Sequence, residues 1–278
     1  MARDTSFSYS FLVLPADQRR AIGAIWDFCR AVDDGVDEAV DRASAEQAVV
    51  LWREEVARLF GGGTPRTDQA RNLQPIVEQF TLSRQPFDDL VDGVEMDLQR
   101  LRYDTFDDLA GYCRRVASAV GLMCIEVFGS RGPGAHHYAY NLGLALQVTN
   151  IIRDIKTDLD KGRIYLPQAD LERFGVTEPM LAAGVVTEPV RALLAFECQR
   201  AHQCFAAAER ARPAGDARKL VAAEIMGAIY YEILRRIEAQ GYNVFGEVIR
   251  VPKMVRARIA LRVWTRLSVF GWLSTQSS

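Results

Sequence analysis

Apolar residues recur every three to four positions along most of the chain, and this spacing predicts α-helices. The clearest case is 21–40, where the apolar side chains fall on one broad stripe. Further helices are predicted at 45–60, 71–80, 87–102, 106–128, 135–159, 189–212, 216–240 and 253–273. No stretch alternates apolar and polar residues with the period of two that a half-buried strand requires. The pattern predicts an all-α fold with a single domain over residues 1–278.

Composition and charge narrow the class of protein. The 278 residues are 49% hydrophobic and 25% charged, an ordinary globular balance. A net charge of −2 gives no general attraction to nucleic acid, and we expect no nucleic-acid partner. Five cysteines without a C-x-x-C pair argue against a disulfide framework or a zinc site. With no apolar signal run at the N-terminus and no spanning segment, we expect a cytoplasmic protein.

Two pairs of aspartates spaced by four carry the candidate chemistry, Asp33 with Asp37 and Asp154 with Asp158. Residues i and i+4 share one face of a helix, so the two carboxylates of each pair point the same way. Two such pairs facing each other across a cleft repel unless a cation lies between them. Hard oxygen ligands suit Mg²⁺, which keeps several waters and shares its coordination shell with a substrate phosphate. The spacing therefore predicts a helical site for magnesium and a diphosphate.

The surroundings of each pair allow a second interpretation. The segment 27–41 has a net charge of −5, which is also typical of a solvated acidic helix face, although Trp26, Cys29 and Val32 place apolar surface beside it. The second pair extends a stripe that begins with Gln147 and Asn150, and this stripe could instead pair aspartates with arginines between helices. The bases near it, which suit an anionic substrate, are Arg153, Lys156, Lys161 and Arg163. A stripe with only a structural role would not require the other aspartate pair, Asp33 with Asp37, elsewhere in the chain.

The C-terminal segment is strongly basic. Six cations and no acids lie between residues 250 and 266: Arg250, Lys253, Arg256, Arg258, Arg262 and Arg266. Apolar residues alternate with them and continue beyond, including Trp264, Phe270 and Trp272. One interpretation is a docked terminal helix with a basic outer face. The other is an amphipathic helix that contacts a membrane surface, at the inner face of the cell membrane.

Several segments in the same order resemble the squalene/phytoene synthase family. Residues 146–158, followed by 162–167, resemble the family's second aspartate signature, and 24–34 resemble its first aspartate helix. Similar matches are 5–15 to the N-terminal diphosphate flap, 112–121 to the central helix and 229–234 to the late tyrosine helix. Within the family, 92–98 and 127–129 are most similar to bacterial enzymes that make presqualene diphosphate for hopanoids, with bacterial phytoene synthases close behind.

The resemblance implies an isoprenoid-synthase-type helical bundle with a central cavity. It implies a Mg²⁺-dependent prenyltransferase, with Mn²⁺ as an alternative metal, that joins two farnesyl diphosphates head to head (1′-1) into presqualene diphosphate. Alternatives are a phytoene synthase acting on two geranylgeranyl diphosphates, a full squalene synthase using NADPH, and a non-catalytic helical assembly factor. NADPH is not expected, because no G-x-G-x-x-G follows a strand. Intact acid pairs argue against the assembly factor.

The resemblance also implies roles for individual residues. The expected metal ligands are Asp33, Asp37, Asn150, Asp154 and Asp158, and the four aspartates are the expected catalytic residues. The expected contacts to prenyl diphosphate are Arg3, Asp4, Thr5, Ser6, Trp26, Arg30, Gln147, Arg153 and Tyr230. Arg114 and Arg115 stand where many members carry an aromatic residue, so that residue's cation-facing role does not transfer. Gly35, costing about 1 kcal/mol in a helix interior, either permits close helix packing or loosens this end of the site.

Overall fold

The computed structural model describes residues 10–273, with side chains to 267. From residue 16 onward the helices are, in chain order, α1 Ala16–Asp37, α2 Arg42–Gly61, α3 Asp68–Phe80, α4 Gln85–Gln99, α5 Phe106–Cys113, α6 Ala119–Val127, α7 Pro133–Arg153, α8 Ile155–Asp160, α9 Gln168–Phe174, α10 Glu178–Ala182, α11 Glu188–Ala211, α12 Val221–Ala239 and α13 Lys253–Leu273. A π-helical turn, Arg114–Ser118, joins α5 to α6, and a 3₁₀ turn, Ala214–Asp216, precedes α12. No β-strand forms within residues 10–273, so the all-α prediction is confirmed.

The apolar interior consists of two clusters that meet along α7. The first cluster is built from α1 to α4, α6 and the N-terminal half of α7, including Tyr138 and Leu142. The second is built mainly from α5, α9 to α13 and the C-terminal half of α7, including Leu144 and Ile152. Because the apolar residues of α7 face both clusters, this helix is the centre of the bundle. The candidate site lies along it.

Several helix ends are fixed by side chains that bind the free backbone N–H groups of the first turn. The Asp41 carboxylate accepts from the Ser44 amide at 2.8 Å at the start of α2. Thr105 and Asp108 form a reciprocal capping box at the start of α5. Gly62 ends α2 with a left-handed φ of 74°, a conformation that glycine adopts without steric cost. With the Asp41 cap, α2 begins at Arg42 rather than at the predicted residue 45, whereas α5 begins at Phe106 as predicted.

Two predicted helices are interrupted. The segment 106–128 was expected to be continuous but contains the π turn, and 135–159 is divided at Asp154 (φ −102°, ψ 12°), whose side chain is tied to the adjacent Arg153. Side chains of adjacent residues point in different directions on a regular helix. The contact between Arg153 and Asp154 therefore coincides with the end of the regular helix. The short helices α9 and α10 were not predicted, because seven and five residues are too few to show a helical period.

The π turn is held between two glycines of other helices. A Cβ at Gly143 of α7 would lie 2.6 Å from Ser118 Cα, and one at Gly93 of α4 would lie 2.7 Å from Arg115 Cβ. Only glycine permits backbones to approach this closely. π-helical turns occur frequently at functional sites, and here the turn brings Val116 and Ala117 into a cavity wall.

Candidate functional site

A cavity of about 400 Å³ lies between α1, α4, α6, α7 and α12. Its polar end is formed by α1 and α7, near the C-terminus of each helix. The residues there are Trp26, Arg30 and Asp33 from α1 and Gln147, Asn150 and Arg153 from α7. Tyr230 of α12 contributes from another wall. Two separately predicted polar stripes thus meet at one mouth.

The rest of the cavity is apolar and elongated. Tyr138 and Asn150 are twelve positions apart on α7, so the wall between them is ~18 Å long at 1.5 Å per residue. Phe128 and Tyr138 line the end opposite the mouth, and the Tyr138 hydroxyl donates to Glu224 at 2.8 Å. A long apolar pocket with convergent polar groups at one end fits an amphiphilic ligand.

The first acid pair is divided between the cavity and its rim. Asp33 lines the cavity. The largest cause of its raised pKa, about 6, is loss of hydration around the carboxylate, and the negative charges of Asp37, Asp97 and Asp34 raise the pKa further. The Asp33 side chain still meets water at the mouth, and this screening weakens the shift. Asp37 instead accepts from Lys161 at 2.6 Å and from Arg163 at 2.9 Å. Burial acts in the opposite direction, but these two bases lower the pKa of Asp37.

The second acid pair departs from the predicted arrangement. Gln147 and Asn150 share the expected face of α7, but the continuous stripe ends at Asp154, and Asp158 belongs to α8. Asp154 accepts from Arg153 Nε at 2.8 Å. Burial, followed by the charge of Asp154, raises the pKa of Asp158 to about 7. The second pair therefore lies at the rim, outside the residues that line the cavity.

The oxygen donors at the mouth fit a hard cation in one specific way. Asn150 Oδ1 is buried and has no hydrogen-bond partner in the described part of the chain, while its Nδ2 donates to Gln147 Oε1 at 3.4 Å. Within residues 10–273, no three His, Cys, Asp or Glu side chains converge closely enough to bind one ion. The donor set therefore suits Mg²⁺ that takes few ligands from the protein and completes its shell with water and phosphate oxygens.

A buried carboxylate beneath the mouth was not identified as a site residue from the sequence. Asp97 accepts from the Tyr165 hydroxyl at 2.8 Å and from the Tyr112 hydroxyl at 3.0 Å. Burial raises the pKa of Asp97, and Tyr112 itself lines the cavity. The three residues are 15 and 68 positions apart, so no helical spacing rule connects them. Asp97 fixes the position of an aromatic wall of the cavity.

Four of the predicted basic residues are paired with acids: Arg30, Arg153, Lys161 and Arg163. Arg30 pairs with Asp34 at 3.3 Å, one helical turn away. Arg153 pairs with Asp154. Lys161 and Arg163 bring the loop after α8 to the first aspartate helix through Asp37. An anionic ligand at the mouth would therefore compete with these carboxylates for the four bases.

Other predicted positions have different outcomes. Arg3, Asp4, Thr5 and Ser6 lie outside the described residues, so their roles stay predictions.

The two arginines of the π turn, Arg114 and Arg115, do not line the cavity. The Arg114 guanidinium lies 5.4 Å from the centre of the Tyr140 ring. Arg115 donates to the Gly111 carbonyl at 2.9 Å. A Cβ at Gly35 would lie 3.2 Å from Trp52 Nε1, which supports close packing of α1 on α2.

Comparisons with known proteins agree with this architecture. The family described as squalene/phytoene synthase matches residues 1–258. A 15-cis-phytoene synthase of Synechocystis sp. is 38% identical over 95% of this chain and 82% of its own length. A presqualene diphosphate synthase of Rhodopseudomonas palustris is 34% identical over 94% of each chain.

Solved structures extend the agreement to three dimensions. A dehydrosqualene synthase superposes with a TM-score of 0.86 at 27% identity, covering 96% of this chain and 93% of that one. The squalene synthase HpnC of Alicyclobacillus acidocaldarius gives a TM-score of 0.78 at 34% identity, covering 87% and 91%. With a helical bundle, an elongated cavity and sequence similarity over nearly its whole length, the chain belongs to the squalene/phytoene synthase family.

Proposed function

We propose that this protein catalyses the Mg²⁺-dependent head-to-head (1′-1) condensation of two farnesyl diphosphates to presqualene diphosphate. The observation that carries the proposal is the asymmetry of the cavity, which has oxygen donors and guanidinium groups at one end and apolar walls along the rest. The proposal places two amphiphiles in this space with both diphosphates at the mouth. Members of the family are prenyltransferases, which is consistent with this chemistry.

Binding of the diphosphates would use the bases already at the mouth. Guanidinium groups bind phosphate oxygens in pairs, and Arg30 and Arg153 are placed to do so after exchanging their carboxylate partners. The residues that would hold magnesium are Asp33, Asp37, Asn150, Asp154 and Asp158. When bound, the metal neutralises the charge that develops on the leaving diphosphate and so favours ionisation of the allylic C1–O bond.

The walls of the cavity determine the fate of the allylic cation after ionisation. Val116, Val120 and Leu142 exclude water from this cation, which would otherwise be hydrolysed. The Tyr112 ring, fixed by Asp97, is an aromatic surface that can stabilise positive charge. The C2–C3 double bond of the second farnesyl diphosphate attacks C1 of the cation, and loss of a proton closes the cyclopropane. One diphosphate is released and the other stays on the product.

The closed end of the cavity supports the shorter, farnesyl chain. Phe128 and Tyr138 limit its depth, and the hydrogen bond to Glu224 resists rotation of Tyr138. A second candidate is condensation of two geranylgeranyl diphosphates to phytoene, which is favoured by the 38% identity to the Synechocystis phytoene synthase.

Product analysis tests the proposal. The purified protein is incubated with Mg²⁺ and either farnesyl or geranylgeranyl diphosphate, with and without NADPH, and the products are identified by mass spectrometry. We expect presqualene diphosphate to accumulate without NADPH, and geranylgeranyl diphosphate to give a lower kcat/KM. The reverse preference would assign a phytoene synthase, and abundant squalene formed only with NADPH would assign a squalene synthase.

Two variants test whether condensation depends on the Asp33 carboxylate. Asp33→Asn removes one carboxylate from the cavity without changing its volume, and Asp17→Asn makes the same change in the first turn of α1, away from the mouth. We expect only Asp33→Asn to abolish condensation. If the folded wild-type protein makes no product from either substrate, the assembly-factor alternative is favoured instead.

A further inference from the structure

The outer face of α13 presents large apolar side chains to solvent. Met254 is 81% exposed, Leu261 is 62% exposed and Trp264 is 43% exposed. At 3.6 residues per turn, these three positions fall on one side of the helix. The opposite side packs in the second apolar cluster, with α12 as a neighbour, through Ala260, Val263 and Leu267. This helix is therefore apolar on both its inner and its outer face, whereas a surface helix is ordinarily polar outside.

Cations border the exposed apolar strip. Lys253, Arg258, Arg262 and Arg266 all lie on exposed positions of α13. Arg266 is also 3.5 Å from Glu224 of α12 yet keeps 57% of its side chain exposed. The sequence contains no acidic residue after Glu247. Apolar and basic groups on one face are typical of helices that lie in a membrane interface.

We propose that this face of α13 docks on the surface of an anionic lipid bilayer. Anionic headgroups complement the row of cations, while the acyl boundary accommodates Met254 and Leu261 and the interfacial region suits Trp264. The chain as a whole has a net charge of −2, so the attraction is local to this face. A second copy of the chain is a poorer occupant, because a two-fold interface would set the same cations against each other.

The depth of this docking is limited to the interface. None of the helices in the described range has a stretch long and apolar enough to span a bilayer. α12 packs between α13 and the cavity, and its residues Ala223, Met226 and Tyr230 line the cavity wall. Docking through α13 therefore places the cavity one helix away from the lipid, whichever prenyl diphosphate it binds.

Vesicle co-sedimentation tests the proposal with the full chain. The vesicles are phosphatidylcholine alone or phosphatidylcholine with phosphatidylglycerol, each at low and at high salt. We expect binding to the anionic vesicles that falls with salt. The double variant Arg258→Gln/Arg262→Gln should lower the partition coefficient about fivefold per cation removed. Leu261→Ser/Trp264→Ser should weaken binding to anionic vesicles at both salt concentrations.

A matched control distinguishes the cations of α13 from cations elsewhere on the surface. Arg42→Gln/Arg66→Gln removes two exposed cations from α2 and the loop after it, which pack in the other half of the bundle. This control should bind like the wild type. Binding that ignores salt, lipid charge and both α13 variants would overturn the proposal. So would a lipid-independent dimer that dissociates in Leu261→Ser/Trp264→Ser on analytical ultracentrifugation, because it would assign the face to a second copy.

Discussion

Replacing Gly143 by alanine tests whether the π turn depends on the close approach of α7. The added Cβ would lie 2.6 Å from Ser118 Cα and 2.8 Å from the Ser118 backbone nitrogen. Both are backbone atoms, so neither can rotate away as a flexible side chain would. The two segments must separate by about 1 Å to reach ordinary van der Waals contact. We expect this clash to destabilise the folded state.

The size of the effect can be worked out by comparison with Gly23. A Cβ at Gly23 of α1 meets nothing within 4 Å, so Gly23→Ala should show only the gain in helix propensity, about 1 kcal/mol. Gly143→Ala has the same gain but overpacks the interior, which costs about 1–3 kcal/mol. The difference in the free energy of unfolding between the two variants therefore isolates the clash.

Urea unfolding followed by far-ultraviolet circular dichroism measures this difference. We expect a lower midpoint for Gly143→Ala than for Gly23→Ala, with similar slopes. Because Val116 and Ala117 of the displaced turn line the cavity, condensation by Gly143→Ala should also slow, whereas Gly23→Ala should retain wild-type turnover. Equal midpoints for the two variants would refute the close-packing explanation of the π turn.

Three further predictions concern charged and hydrogen-bonded groups. Asp154→Ala should abolish condensation while leaving a folded helical protein, as judged by circular dichroism; near-normal turnover would show that the second acid pair is dispensable. Glu197 is buried and paired with Arg200 at 2.8 Å, and burial outweighs the attraction of Arg200 to raise the pKa of Glu197 to about 7. Its contribution to stability is therefore present below the unfolded value of about 4.5 and is lost as the pH rises through 7. Glu197→Gln should flatten this decline in urea midpoints measured from pH 4.5 to 8, and parallel profiles would contradict it. Tyr165→Phe leaves Asp97 with one hydroxyl donor and should lower the free energy of unfolding by about 1–3 kcal/mol; an unchanged urea midpoint would show that water replaces the lost donor.

Local periodicity predicted most of the helical framework but not its interruptions. The apolar stripe of α1 is sufficient to indicate a helix, because each position depends on neighbours three and four residues away. The π turn at 114–118 depends instead on Gly93 and Gly143, which are distant in the chain and reach it only after α4 and α7 have packed. No pattern within the turn itself records that contact.

Spacing along the sequence likewise predicted some residues of the candidate site but not others. Spacing along α7 placed Gln147 and Asn150 on one face, and they line the cavity as a pair. Spacing could not show that Asp37 would turn toward Lys161 and Arg163, more than a hundred residues later. The Asp97 tyrosine cluster was missed for the same reason. Side-chain partners contributed by separate helices require the tertiary structure.

The position of α7 between the two apolar clusters affects how cooperatively the protein unfolds. Its N-terminal half belongs to one apolar cluster and its C-terminal half to the other, so neither cluster can lose its packing without removing support from this helix. We expect one unfolding transition shared by both halves of the bundle, although chains of this length commonly populate intermediates. A ligand bound along α7 contacts residues from both clusters. Its binding free energy would therefore protect the whole molecule against unfolding rather than one half of it.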